Sequence, residues 1–250
     1  MVDLQKVKQQ LAPQGVLRVG INMANFLLVT GELPDGSPDG VSPDVGRALA
    51  KELGVEARMV PFKGPGELAD ALASDAWDIG NIANEAERAK TIRFSQAYCE
   101  IQATYMVPPN SPIKTIDDVD REGVRIAVKD RAAYDLWLRE NLQHAQLVRA
   151  ESIDGSFDLF VEQKLDVLAG LRPALTSQQE NLAGSVILDG SFTAIQQSIG
   201  CKQGMPEAAT FINDFVQRCI TDGLVSSAIT QHGVDGRLTV ASVVTGTSNG

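Results

Sequence analysis

The sequence predicts an α/β protein built on parallel strands. Apolar runs with strand character alternate with segments of helical periodicity, and the βαβαβ rhythm of the first hundred residues starts again after Gly123. A third observation is the segment Asp78 to Tyr98 (DIGNIANEAERAKTIRFSQAY). It reads as a strand, a tight polar turn, a short helix and a second extended segment.

In chain order, Val16 to Ile21 (VLRVGI) is a buried-strand candidate. After a loop rich in Gly, Pro and Asp (Thr30 to Gly40), Ser42-Pro43-Asp44 starts a helix, with Ser42 as its cap and Pro43 suited to its first turn. Val45, Ala48, Leu49 and Leu53 give this helix an apolar stripe, and Gly54 ends it. Ala57 to Phe62 is the next strand, Glu67 to Ser74 a helix, and Trp77 to Ala83 a strand. Asn84 then caps a short helix whose first turn holds Glu85 and Glu87, with Arg88 projecting beside the strand's end. Free backbone N–H groups and a guanidinium converging there make an anion site, although the same residues also fit a surface helix with ordinary salt bridges.

The second unit opens with strand Gly123 to Val128 and a helix from Arg131 to Leu142, with Tyr134, Trp137, Leu138 and Asn141 along one side. Phe157 to Gln163 is a short helix, Asp166 to Leu171 a strand, Pro173 to Asn181 a helix and Val186 to Leu188 extended. Thr193 to Gly200 reads as a strand crossing back. The longest helical pattern, Pro206 to Ile220, follows, then Gly223, a helix from Leu224 to His232 and a flexible tail after Val240.

Bulk properties limit the partners. With 250 residues, 44% hydrophobic and 22% charged, the chain can bury one large core or two small ones. A net charge of −10 argues against nucleic acid and against an anionic membrane surface, and no stretch is apolar enough for direct membrane insertion. Cys99, Cys201 and Cys219 lack metal-type spacing. A Cys201–Cys219 bridge and buried free thiols both remain open. No phosphate-cradling loop, nucleophile elbow or metal cluster is present, so no cofactor is expected. His144 and His232 fall in helices read as surface and take no role.

The segment from Asp78 resembles the signature of the family 3 extracellular solute-binding proteins, the amino-acid receptors of ABC importers. Their pattern runs D-x-x-x-x-G-x-T-x-T-x-E-R-x-x-x-x-x-F-S-x-x-Y, and Asp78, Glu87, Arg88, Phe94, Ser95 and Tyr98 fall in place. LRVGIN, GVSPDVGRALAKELGV and SPIKTIDDVDREGVRIAVKD resemble further family phrases in the same order, so the likeness spans roughly Gly15 to His232. It implies a type II periplasmic binding protein fold: two α/β lobes joined by two crossing strands, with ligand in the cleft at the strand ends. Lobe one would be residues 1–106 and 198–250, lobe two 107–197. The N-terminus shows no signal pattern, so an exported receptor would have lost its leader and be periplasmic; a native Met1 would keep it cytosolic.

Carried over residue by residue, the resemblance assigns Arg88 to the ligand's carboxylate. Ala83 stands where the family has a second, hydroxyl donor to that carboxylate. Asn81 stands where a backbone carbonyl helps hold the amine, and Asn22 where an Asp is frequent. Asn25 and Phe26 lie in the first turn, facing the ligand side chain; Phe62 to Pro65 is where an aromatic stacks. Asn84 is a cap first and a contact second. Leu171 replaces the Asp that pairs with the α-ammonium, while Lys129, Arg131 and Arg172 add cations on lobe two, as ligand contacts or as solvated rim charges. These departures predict a small anionic solute carrying carboxylate without an obligatory α-amino group, because an unpaired buried ammonium is costly. An alignment shift of one or two residues would instead bring Asp130 to the amine. The implied partner is the membrane permease of an ABC importer, and a monomer is expected. Two alternatives stand beside this: an amino-acid receptor with a rearranged ammonium site, and a cyclohexadienyl dehydratase-like enzyme with Glu100 as general acid.

Overall fold

The computed structural model describes residues 2–243. The chain forms two compact units, Met1–Glu100 with Gln196–Gly250, and Ile101–Ile195. The first contains α1 (Leu4–Leu11), β1 (Val16–Asn22), the short pair β2 (Gly31–Glu32) and β3 (Pro38–Asp39), α2 (Val41–Leu53), β4 (Glu56–Phe62), α3 (Pro65–Asp70) and β5 (Ile79–Ala83). The long strand β6 (Ile92–Val107) carries the chain into the second unit. There follow β7 (Arg125–Lys129), α4 (Ala133–Asn141), β8 (Gln146–Ala150), α5 (Ile153–Glu162), β9 (Val167–Leu171), α6 (Arg172–Gln179) and β10 (Val186–Ile187). Strand β11 (Thr193–Lys202) returns the chain to the first unit, which is completed by α7 (Pro206–Thr221), α8 (Leu224–Gln231) and β12 (Thr239–Val240).

In the first unit β4, β1 and β5 are parallel neighbours and β11 joins β5 antiparallel. The register sets Asn22 beside Phe62 and Ile21 beside Asn81, so the C-terminal ends of β1, β4 and β5 share one edge. Trp77 anchors the core on one face with Leu68, Leu72, Ile82 and Ile92, and its Nε1 donates to the Leu68 carbonyl at 2.8 Å. Glycine is needed where the sheet meets this ring: a Cβ on Gly20 would lie 3.2 Å from the Trp77 side chain. Helix α2 ends as the sequence predicts, with Gly54 left-handed at φ 63° and its N–H on the Ala50 and Lys51 carbonyls. Gly54→Ala should therefore cost about 1–2 kcal/mol, read as a lower midpoint in urea denaturation.

In the second unit β7 lies parallel between β8 and β9, and β6 pairs antiparallel with β9. Its core gathers Met106, Ala127, Phe160, Leu165, Leu168 and Leu175. Helix α4 buries Tyr134 and Leu138 as predicted. Trp137 instead meets Phe192 with ring centroids 5.3 Å apart, and Asn141 is exposed, its Nδ2 turned back to the Trp137 carbonyl.

Several expectations are corrected. Ser42 does not cap α2: the helix begins at Val41 with Gly40 at the cap, because at Gly40 (φ 146°) a Cβ would sit 2.3 Å from the Leu28 carbonyl oxygen. Ser42 is buried inside instead. Asn84 caps no helix; its N–H donates to the Gln196 carbonyl at 2.9 Å, and Arg88–Lys90 form only a 3₁₀ turn. Helix α1 and strands β8 and β12 are additional elements, α1 packing Val7 and Leu11 inward while Gln10 bonds Glu207 and the N–H of Ala208 at the start of α7. Residues 244–250 of the expected tail lie outside the described residues.

No bridge joins Cys201 to Cys219; all three cysteines are free and buried. Burial pushes the Cys201 thiol up to about 11 and that of Cys219 up to about 12, and it also raises that of Cys99. A raised thiol pKa favours the protonated native form, so this contribution is complete below pH ~9 and is lost as pH climbs toward the folded values. At pH 8 the native protein should resist alkylation by iodoacetamide, with all three thiols reacting once it is unfolded; mass spectrometry reads the count.

Candidate functional site

The first unit's candidate site is built on the shared strand edge, where open parallel sheets leave backbone groups and loops free to meet a ligand. Asn22 closes β1 and its Oδ1 accepts the N–H of Ala24 at 3.2 Å. Asn25, buried at 7% exposure, accepts the N–H of Leu27 in the same way. These side chains hold the turn locally, and the turn presents Phe26 outward at 40% exposure. Phe62 closes β4 beside Asn22, and its carbonyl accepts the Met23 N–H at 2.9 Å.

Arg88, 5% exposed, lies in the turn after β5, and its Nη1 donates to the carbonyl of Ala83, the last residue of that strand, at 3.0 Å. Burial weakens the screening of water, so a carboxylate within reach of this side chain would pair with it more strongly than at the surface. The three-residue 3₁₀ turn offers no helical N-terminus, so any anion-binding power rests on the side chain. Ala83 supplies a buried methyl and no hydroxyl. Asn81 turns its side chain inward, Nδ2 donating to the Ser42 carbonyl at 2.7 Å.

At the strand ends of the second unit, Lys129 closes β7 and its Nζ donates to the Asp130 carbonyl at 2.7 Å. Arg131 occupies a left-handed turn at φ 57°, and its N–H donates to Asp135 at 2.9 Å. Asp135 is buried at 1% and also accepts from Arg149 Nε at 3.0 Å; Arg149 lies 3.6 Å from Asp130. Sequence reasoning missed this Asp130–Asp135–Arg149 cluster, although an acid in the first turn of α4 was visible. Arg172 opens α6, where its Nε donates to Gln102 at 3.1 Å and its Nη2 to the Leu188 carbonyl at 3.2 Å and to that of Gly190. It ties its own unit together, and a ligand role would require exchanging those bonds. Leu171 closes β9 as a buried apolar residue.

Glu100 lies mid-strand in β6, opposite Thr239 of β12. His144 is exposed after α4, but His232 is not a surface residue: its side chain is 5% exposed, with Nε2 2.8 Å from Asp44 and Nδ1 3.2 Å from Thr30 Oγ1. Ligand atoms of Asp39, Asp44 and His232 lie within 4.8 Å of one another, but the Arg47 guanidinium already pairs with both carboxylates, at 3.2 Å from Asp44 and 4.0 Å from Asp39. The cluster reads as a polar knot holding α2, α8 and the β2–β3 pair.

This fold and strand-edge arginine accompany a match of residues 17–233 to the bacterial extracellular solute-binding proteins, family 3. The chain belongs to that family. A relative of this family-3 protein, the L-cystine-binding protein TcyJ of Escherichia coli (strain K12), is 26% identical over 229 residues, covering 90% of this chain and 83% of TcyJ. The ancestral amino acid-binding protein AncCDT-1, described as a precursor of cyclohexadienyl dehydratase, has a TM-score of 0.70 at 24% identity and covers 91% of this chain and 98% of its own. The cysteine-binding protein of Campylobacter jejuni gives 0.72 at 17% identity, covering 97% and 100%. At these identities the two structures establish the fold alone, a two-lobed α/β architecture. The family-3 assignment makes the protein a solute-binding component of the ABC-transporter type, and no helix among the described residues is long and apolar enough to cross a membrane.

Proposed function

We propose that this family-3 protein is the periplasmic receptor of an ABC importer and binds a small carboxylate-bearing solute through Arg88, delivering it to a membrane permease. The observation that carries the reading is Arg88, 5% exposed and bonded to the carbonyl of Ala83 at the end of β5, the strand that neighbours β1, where Asn22, Asn25, Phe26 and Phe62 gather. Asparagines there suit a polar solute, and Phe62 and Phe26 offer aromatic surface. Lys129 and Arg131 of the second unit supply further cations, with Asn81, Ala83 and Asn84 shaping the β5 end. With Leu171 apolar, the solute needs no α-ammonium. Binding takes no catalytic step.

The names of the relatives favour a second reading, an amino acid whose ammonium meets Asp130. The experiment that separates the two is a thermal-shift screen of protein unfolded, freed of carried-over ligand and refolded, against amino acids, dicarboxylates, keto acids and aromatic acids. A solute at 100 times its Kd adds roughly 2.7 kcal/mol, a rise of several degrees. Shifts confined to acids without an α-amino group support the first reading; shifts with α-amino acids, cystine included, establish the second. No shift with any carboxylate sinks the Arg88 site.

A further inference from the structure

Helix α5 of the second unit carries charges that its own surroundings do not answer. Asp154, Asp158 and Glu162 stand four residues apart and so share one face, and all three are exposed. Their side chains form no ion pair among the described residues. Like charges at this spacing oppose one another. Asp154 suits the first turn, but Glu162 stands in the last, where the helix dipole disfavours an anion and no basic residue offsets it. Val161, three residues after Asp158 and so beside the stripe, is 41% exposed. It also lines a cavity of about 660 Å³ whose apolar wall includes Ile113, Val124, Phe160, Leu165 and Leu182. Val124 and Asp166 on that wall immediately precede β7 and β9, so the cavity lies where those strands begin, whereas Lys129 and Leu171 mark where they end. Charges on the wall nearly cancel: Arg121 pairs with Asp118, Asp166 lies 3.6 Å from Arg125, and Glu122 and Lys164 are opposite in sign. The local excess is therefore the acid of α5.

We propose that α5 and this cavity form a docking surface for a basic amphipathic segment of a partner protein. The segment sets apolar side chains against Val161 and into the cavity, and lays Lys or Arg side chains along Asp154, Asp158 and Glu162. Apolar burial then supplies the hold, and complementary charge supplies orientation and a faster encounter. The charge decides among occupants. A purely apolar segment would cover the cavity and leave the carboxylates without a counter-charge. A nucleic acid or an anionic membrane is repelled by the same stripe. A metal ion alone would answer the carboxylates and leave Val161 and the cavity open to water. Because the surface lies at the beginnings of β7 and β9, docking there leaves the candidate solute contacts at the strand ends free. The inference is independent of which solute the protein binds.

The test uses the full chain and a fluorescein-labelled peptide of about 14 residues, leucine and lysine arranged on opposite faces of a helix. A scrambled peptide of the same composition is the control for non-specific attraction to an acidic protein. Fluorescence anisotropy should show the ordered peptide binding about 10-fold or more tightly than the scrambled one. Val161→Ser, and separately the double variant Asp158→Asn with Glu162→Gln, should each weaken it about 5-fold or more. All these positions are exposed, so the variants should keep the wild-type fold by circular dichroism. Hydrogen exchange read by mass spectrometry should show protection by the peptide within residues 153–166. No binding, equal binding of the scrambled peptide, unchanged affinity in either variant, or protection elsewhere overturns the proposal. So does equal protection of the same segment by calcium chloride alone, which would make the stripe a cation site.

Discussion

Arg88→Ala is expected to weaken solute binding about 10-fold or more in isothermal titration calorimetry. Arg88 is 5% exposed, and a hydrogen bond to a charged group is worth about 1.5–3 kcal/mol, which brackets a loss of roughly 10- to 150-fold. Arg88 also donates to the Ala83 carbonyl, so part of any loss could come from a loosened β5 end. Arg88→Lys separates the two causes. Lysine keeps a point charge but not the planar fork, so an intact fold with intermediate affinity assigns the effect to carboxylate recognition. Wild-type affinity in Arg88→Ala, measured on folded protein, would place the carboxylate elsewhere.

Trp77→Ala carries the largest expected effect on stability. The side chain is 1% exposed, packs with Leu68, Leu72, Ile82 and Ile92, and faces Gly20 and Gly80, whose missing side chains make room for it. Removing a buried Trp costs about 3–5 kcal/mol through lost transfer energy and the cavity left behind. Losing the indole N–H bond to Leu68 leaves a buried carbonyl without its donor, which adds to the cost. The chain has only two tryptophans, so Trp137 of the second unit remains as a fluorescent reporter in the variant. Urea unfolding followed by circular dichroism should show a markedly lower midpoint for the first unit, with the Trp137 transition less affected. An unchanged midpoint would mean that the site relaxes around the loss.

The strands were legible wherever apolar runs were long enough to be buried on both faces, as in Val16–Asn22 and Val167–Leu171. Gly54 was legible because its left-handed conformation is a local demand. The failures came where distant residues decide. Ser42 has the chemistry of a cap, but the approach of the Leu28–Val29 backbone gives that place to Gly40 and sends Ser42 inside. The N–H of Asn84 is taken by Gln196, far along the chain, so no helix starts there. Helix α1 reads as polar because only Val7 and Leu11 face inward. At the candidate site, Arg88 is proposed from its motif, and its burial beside the Ala83 carbonyl was not legible in the sequence. The bonds of Arg172 to the segment before β11, and the burial of His232 against Asp44, arise from contacts between elements remote in sequence.

Because the first unit is written in two pieces, its sheet cannot close in the order in which the chain is made. Strand β11 pairs with β5 through Ile199 and Asn81, and everything from Ile101 to Ile195 must be traversed before that pairing is possible. The second unit is one uninterrupted stretch, so its contacts are closer in sequence and cheaper in loop entropy. On a chain emerging from its N-terminus, the inserted unit can be native while Val16–Ala83 still waits for its antiparallel partner. Until then β5 presents a bare edge, the feature of a nascent chain that invites mispairing and that a chaperone would be expected to cover.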